Sequence, residues 1–121
     1  MEYIAHKEMK ILSNPGVDSK QLLNPENSAS TRVTITRVTV QPCAVQPRHT
    51  HATSEQIWIA ERGNATLLLA DDTERPFNEG DVARFADGDV HGLRNDSPAA
   101  FEYLSVTSPP INFGYAYAEK R

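Results

Sequence analysis

The chain has 121 residues, 39% of them hydrophobic and 23% charged, with a net charge of -4 at neutral pH. This length and balance suit one compact domain that buries a core without disulfide staples. Lys and Arg are scattered, so neither nucleic acid nor an anionic membrane surface is an expected partner.

Cys43 is the single cysteine, which excludes an intrachain disulfide and removes the disulfide argument for secretion. The first residues, MEYIAHKEMK, carry no hydrophobic signal core. No segment approaches the roughly 20 apolar residues of a spanning helix, and the expected location is the cytoplasm.

Residues 1–30 read as a polar leader or arm, with turn signals at Asn14-Pro15-Gly16 and Asn24-Pro25 and with Leu22 and Leu23 as apolar anchors. A short strand or one helical turn is expected there. From Thr31 the composition changes. Thr31 to Gln41 reads TRVTITRVTVQ, rich in β-branched residues and free of Gly and Pro, which favours a strand. Its alternation is imperfect: Val33 and Ile35 share one face, Val38 and Val40 the other. A bulge near Arg37 or burial of both faces would account for the switch.

Further strands are expected at Glu55 to Glu61, Ala65 to Ala70, Asp81 to Phe85 and Phe101 to Thr107. Turn clusters such as Arg62-Gly63-Asn64, Asp71-Asp72-Thr73 and Asp87-Gly88-Asp89 separate them. Short strands at near-regular spacing predict an all-β sandwich or barrel over 31–107. No segment holds a sustained helical period and no internal repeat is visible. In the tail, 108–121, Ile111, Phe113, Tyr115 and Tyr117 would share one side of an extended chain. Covering the outside of the barrel is the favoured reading; lining its mouth or packing on a second subunit is the alternative.

His49 and His51, one residue apart, project to the same side of an extended chain. Neutral imidazoles so placed are a natural pair of donors for a divalent transition metal, although exposed histidines are the commoner outcome of His-x-His alone. Two stretches give the pair its context. His51 is followed by Ala52-Thr53-Ser54-Glu55-Gln56, the run IWIAER and Gly63; later come Gly80, Gly88, His91 and Asn95. In these residues the chain resembles the cupins. That family shows Gly-x5-His-x-His-x3or4-Glu-x6-Gly, then Gly-x5-Pro-x-Gly-x2-His-x3-Asn. The resemblance spans roughly Cys43 to Asn95, and the strand pattern extends it to Thr107.

The resemblance implies a single-domain double-stranded β-helix, or jelly-roll barrel. It also implies one divalent transition metal ion (Zn, Ni, Mn or Fe) on His49, His51, His91 and a fourth ligand. Cys43 replaces the family's first Gly and Ala86 its Pro. Counting back from Gly63 puts Gln56, rather than Glu55, at the fourth position. Strand neighbours face opposite ways, so only one of the two points inward; alternation alone leaves the choice open, because Ile57 and Ile59 oppose Trp58 and Ala60 and both sets are apolar. The family count favours Gln56, a ligand type that a subset of cupins uses.

Arg48, Trp58, Arg94 and Tyr103 are the candidate substrate contacts. The arginines could grip a carboxylate, and the aromatics could form a platform. The commoner roles are rim or surface for Arg48 and Arg94, and core for Trp58 and Tyr103. Cys43 has no identifiable base nearby and reads as a small buried hydrophobe. The expected function is metal-dependent chemistry on a small oxygenated molecule such as a sugar acid, keto-acid or hydroxy-acid. Lewis-acid isomerase or lyase chemistry is preferred to dioxygenase chemistry. A non-catalytic ligand-binding module is the alternative, and homodimerisation is expected from related cupins.

Overall fold

A computed structural model describes residues 1–117. Ten strands are present among them: β1 Ile11–Asn14, β2 Val17–Leu23, β3 Thr34–Val40, β4 Val45–His49, β5 Glu55–Arg62, β6 Asn64–Leu69, β7 Glu74–Asn78, β8 Val82–Phe85, β9 His91–Arg94 and β10 Phe101–Ser108. They form two antiparallel sheets, β1-β2-β3-β10-β5-β8 and β4-β9-β6-β7. Val38, Val40, Trp58, Phe101 and Tyr103 of the first sheet share one buried cluster with Leu67, Phe77 and Leu93 of the second. The two inner faces thus close on each other as a jelly-roll barrel. No helix of the described residues is long and apolar enough to cross a membrane.

The leader carries both of the elements considered for it. A short 3-10 turn, His6–Glu8, precedes the hairpin β1–β2, and β2 pairs with β3 along most of its length. The six-stranded sheet therefore begins well before Thr31, where the β-branched run starts.

β3 itself has no bulge at Arg37: its pairing with β10 runs unbroken from Thr34 to Val40. Its buried face is Thr34, Thr36, Val38 and Val40, in strict alternation. The pattern looked broken because two of the four inward residues are threonines, with Ile35 on the opposite, half-buried face.

The register explains those threonines. Side by side across the first sheet, Val17, Val40 and Phe101 form one row. Next come Ser19, Val38, Tyr103 and Ala60, then Gln21, Thr36, Ser105 and Trp58, then Thr34, Thr107 and Gln56. All of these side chains are buried. The interior thus grades from hydrocarbon at one end to hydroxyls and amides at the other, where each polar group needs a partner. Candidate ligand Gln56 lies in the last row.

Candidate metal centre

β4 is bulged, and the bulge builds the site. Gln46 pairs with Leu93 and His49 with His91, so Pro47 and Arg48 together oppose the single residue Gly92. Plain alternation would send Gln46 and His49, an odd number of positions apart, to opposite faces. The extra residue turns both inward, and both line one cavity. Gly92 permits the close approach: a Cβ there would lie 2.7 Å from the Gln46 carbonyl oxygen and 3.0 Å from the Arg48 nitrogen. His51 follows just beyond β4, and its ring lies 5.1 Å from that of His49.

One ring nitrogen from each of His49, His51 and His91 lies within 4.8 Å of the others. Two rings are oriented by backbone. His49 Nδ1 donates to the Pro47 carbonyl at 2.8 Å and His91 Nδ1 to the Asp89 carbonyl at 2.9 Å. A carbonyl only accepts, so the proton sits on Nδ1 and the Nε2 lone pair is free. The Nε2 atoms of His51 and His91 are buried without a hydrogen-bond partner. Burial, with the nearby His49 charge second, lowers the His51 pKa; the same two causes, in the same order, hold His91 down to about 4. Two buried bases with unsatisfied lone pairs beside a third imidazole suit a divalent cation and little else. The residues present fit the metal that the fold implies.

Asn95 closes the second motif without being a ligand. Its Nδ2 donates to the carbonyls of Val40 and Ala99, both at 2.9 Å, and fastens β9 to the neighbouring chain. Ala86, which replaces the motif proline, uses the amide hydrogen that a proline lacks. It donates to Asp89 Oδ2 at 2.9 Å and closes the turn whose Asp89 carbonyl orients His91. Cys43 is exposed, contrary to expectation, and has a φ of 69°. It occupies the left-handed region that the family's glycine would enter without steric cost.

The model matching "Cupin domain" covers residues 36–107, more than half of the chain. The chain belongs to the cupin family. Among solved structures, this cupin is similar to KdgF from a Halomonas species, with 19% identity, a TM-score of 0.76, and coverage of 91% of this chain and 96% of that one. It is also similar to the polyketide cyclase RemF from Streptomyces resistomycificus, at 19% identity and a TM-score of 0.76, covering 90% and 79% of the two chains. Likenesses this distant show the fold alone. A sugar phosphate isomerase from Silicibacter pomeroyi is 25% identical with a TM-score of 0.68, over 78% of this chain and 60% of that one. No curated protein matches the sequence.

Gln56 is buried and lines the cavity with His49 and His51. Its Nε2 donates to Thr107 Oγ1 at 2.9 Å, and its Oε1 accepts from Trp58 Nε1 at 3.1 Å. One lone pair of that oxygen remains. Glu55 faces the other way and pairs with Arg84 at 2.7 Å.

Of the four candidate substrate contacts, Trp58 and Tyr103 line the cavity of 730 Å³ and also belong to the core. Arg48 and Arg94 do not line it. Arg48 donates to the Leu69 and Thr73 carbonyls at 2.8 and 3.3 Å. Arg94 makes a bidentate pair with Glu74 and bonds to Asp96. Arg48 adjoins the inward His49 and Arg94 the buried Leu93, and the donors of both arginines are engaged away from the cavity.

The tail departs from the extended covering strand expected of it. Gly114–Tyr117 is one helical turn, and Phe113, Tyr115, Ala116 and Tyr117 line the cavity. The Phe113 ring lies 5.9 Å from that of His51. Two contacts strap the segment down: Ser54 Oγ donates to the Pro109 carbonyl at 2.9 Å, and Thr34 Oγ1 to that of Ile111 at 2.9 Å. The remainder of the expected tail, 118–121, lies outside the described residues. Sequence reasoning missed Gln46 as a cavity residue, although Pro47 inside a strand is a bulge signal.

Proposed function

We propose that this cupin is an enzyme with one divalent transition metal ion, Zn, Ni, Mn or Fe, on His49, His51 and His91, with Gln56 as fourth ligand. Its substrate would be a small oxygenated molecule, a sugar acid, keto-acid or hydroxy-acid, and its chemistry isomerase- or lyase-type proton transfer. The observation that carries this reading is the pair of buried, unpartnered Nε2 atoms of His51 and His91 clustered with His49, where His49 and His51 line a cavity of substrate size.

A bound divalent ion would act as a Lewis acid on a substrate oxygen. Four neutral ligands would leave its charge undiminished, which favours polarisation. Trp58 and Thr107 fix the Gln56 amide by hydrogen bonds at both ends, a rigidity that suits a ligand. The buried Tyr103 and Tyr117 supply titratable hydroxyls on the same cavity.

A second reading, a metal-dependent binding module without turnover, is favoured by one observation: among the described residues, no Asp, Glu or Lys lines the cavity to serve as a strong base. The test is to load the protein with each metal and incubate it with keto-, hydroxy- and sugar acids in deuterated water. Deuterium incorporation or product formation supports the enzyme. Saturable binding without exchange or product supports the module.

Pairing of two copies and residence in the cytoplasm complete the proposal. With much of the aromatic tail spent on the cavity, the support for a dimer moves to Ile11 on edge strand β1 and Val82 on edge strand β8, which are 52% and 64% exposed.

A further inference from the structure

The cavity wall beyond the histidines has a chemistry of its own. Three separate segments meet at one amide. The Tyr103 hydroxyl, from β10, donates to Gln46 Oε1 at 2.8 Å. The Tyr117 hydroxyl, from the tail, lies in hydrogen-bonding contact with Ser19 and with Gln46. Gln46 comes from β4 and faces inward only because of the bulge. Both tyrosines are buried. A barrel interior is filled more simply by hydrocarbon, and buried hydroxyls and amides add no stability over it unless every group is satisfied. This cluster lies on the same cavity as His49 and His51, which Ser19, Thr36 and Ser105 also line.

Charge is the second observation. Among the described residues, no Asp, Glu, Lys or Arg side chain lines this cavity. Beside its apolar side chains, the described wall therefore offers hydroxyls and amides, and nothing that neutralises an ionic group away from the histidines.

We propose that Gln46, Tyr103 and Tyr117 are specificity-determining residues that bind the neutral hydroxylated end of a monoanionic polyhydroxy acid whose carboxylate lies at the histidine site. The proposal rests on the metal reading given above. A carboxylate is compensated there by the divalent ion. A phosphate monoester at the far end would be desolvated against an uncharged wall without a counter-charge, which is strongly unfavourable. A plain alkyl chain would desolvate the remaining donor and acceptor sites of Gln46 and the two hydroxyls without engaging them. Burial foremost raises the pKa of both tyrosines, so each keeps its proton at neutral pH; that of Tyr103 is given to Gln46 Oε1, which leaves the Tyr103 oxygen to accept from a ligand hydroxyl.

Calorimetry on the full zinc-loaded chain tests this with three probes: gluconate, hexanoate and 6-phosphogluconate. Zinc content is measured first in every sample. Gluconate is expected to bind about tenfold or more tighter than either of the others, the worth of one or two well-made hydrogen bonds. Tyr117→Phe and Tyr103→Phe should each shrink the gluconate preference over hexanoate severalfold, with hexanoate affinity and zinc content unchanged. Hexanoate or 6-phosphogluconate binding as tightly as gluconate would overturn the proposal, as would an undiminished preference in both variants. A wild-type chain that takes up no zinc would overturn the metal reading and this proposal together.

Discussion

The sharpest distinction at the scale of single residues is between Gln56 and Glu55. They are strand neighbours with opposite fates: one is buried at the cavity, the other pairs with Arg84 at the surface. Gln56→Ala should weaken metal affinity by about tenfold or more, the usual effect of losing a ligand or its close support, and should free Trp58 Nε1 of its acceptor. Glu55→Ala should leave metal affinity unchanged, because it removes only a solvent-exposed ion pair. Competition titration with a chromophoric chelator measures both. Equal losses in the two variants would contradict the assignment. The choice could be drawn from the spacing to Gly63, but strand alternation could not make it, since Ile57 and Ile59 are apolar and half-buried on the outer face.

Tyrosine burial gives a pH-dependent prediction with a definite sign. The folded-state pKa of Tyr103 is well above its ordinary value, chiefly through burial, and that of Tyr117 is raised for the same leading reason. Above about pH 10 the unfolded chain releases protons that the native state keeps. Native stability is therefore complete below that value and declines as pH rises through it. Urea midpoints at pH 8 and above pH 10 should show this decline in the wild type and a smaller one in Tyr103→Phe. Identical slopes would show that Tyr103 ionises normally in the fold.

Among the elements, β4 matters most to the site and was hardest to read. β3, β5, β6, β8 and β10 are legible from β-branched or apolar runs. β4 and β7 contain Pro47 and Pro76, which lowers their strand character, and β1 and β2 are rich in polar residues. The bulge at Pro47 and Arg48 depends on pairing with β9, so it is a tertiary feature that local propensity does not carry. Gly92→Ala tests it. The added Cβ meets backbone atoms of β4 at 2.7–3.0 Å, which a flexible side-chain rotation cannot relieve. The variant should lose about 1–3 kcal/mol of stability, the usual cost of overpacking, and should bind metal more weakly because His49 and His91 face each other across that contact. Thermal melts with and without metal check both. Unchanged metal affinity would show that the bulge does not position His49.

Taken as a whole, the molecule is a barrel with an apolar end and a polar end. That gradient was hidden in the sequence, because Thr34, Thr36, Ser105 and Thr107 look like outward residues until the register makes them inner-face neighbours of Gln56 and Trp58. The histidine pair and the later His91 were visible as motif positions. The tail's turn into the cavity was not, since Tyr115 and Tyr117 alternate like a strand yet lie in a helical turn.

The exposed apolar residues on the edge strands, Ile11 and Val82, support the proposed dimer. Light scattering coupled to size exclusion should give twice the 13.4 kDa chain mass at micromolar concentration, and a single-chain mass would refute it.

The central claim is that His49, His51 and His91 hold one ion between them. Elemental analysis of the chain, purified without added metal, exposed to zinc and then dialysed, tests it most directly in parallel with His51→Ala. The wild type should hold a stoichiometric equivalent of metal and the variant almost none. Full metal content in His51→Ala, or none in the wild type, would contradict it.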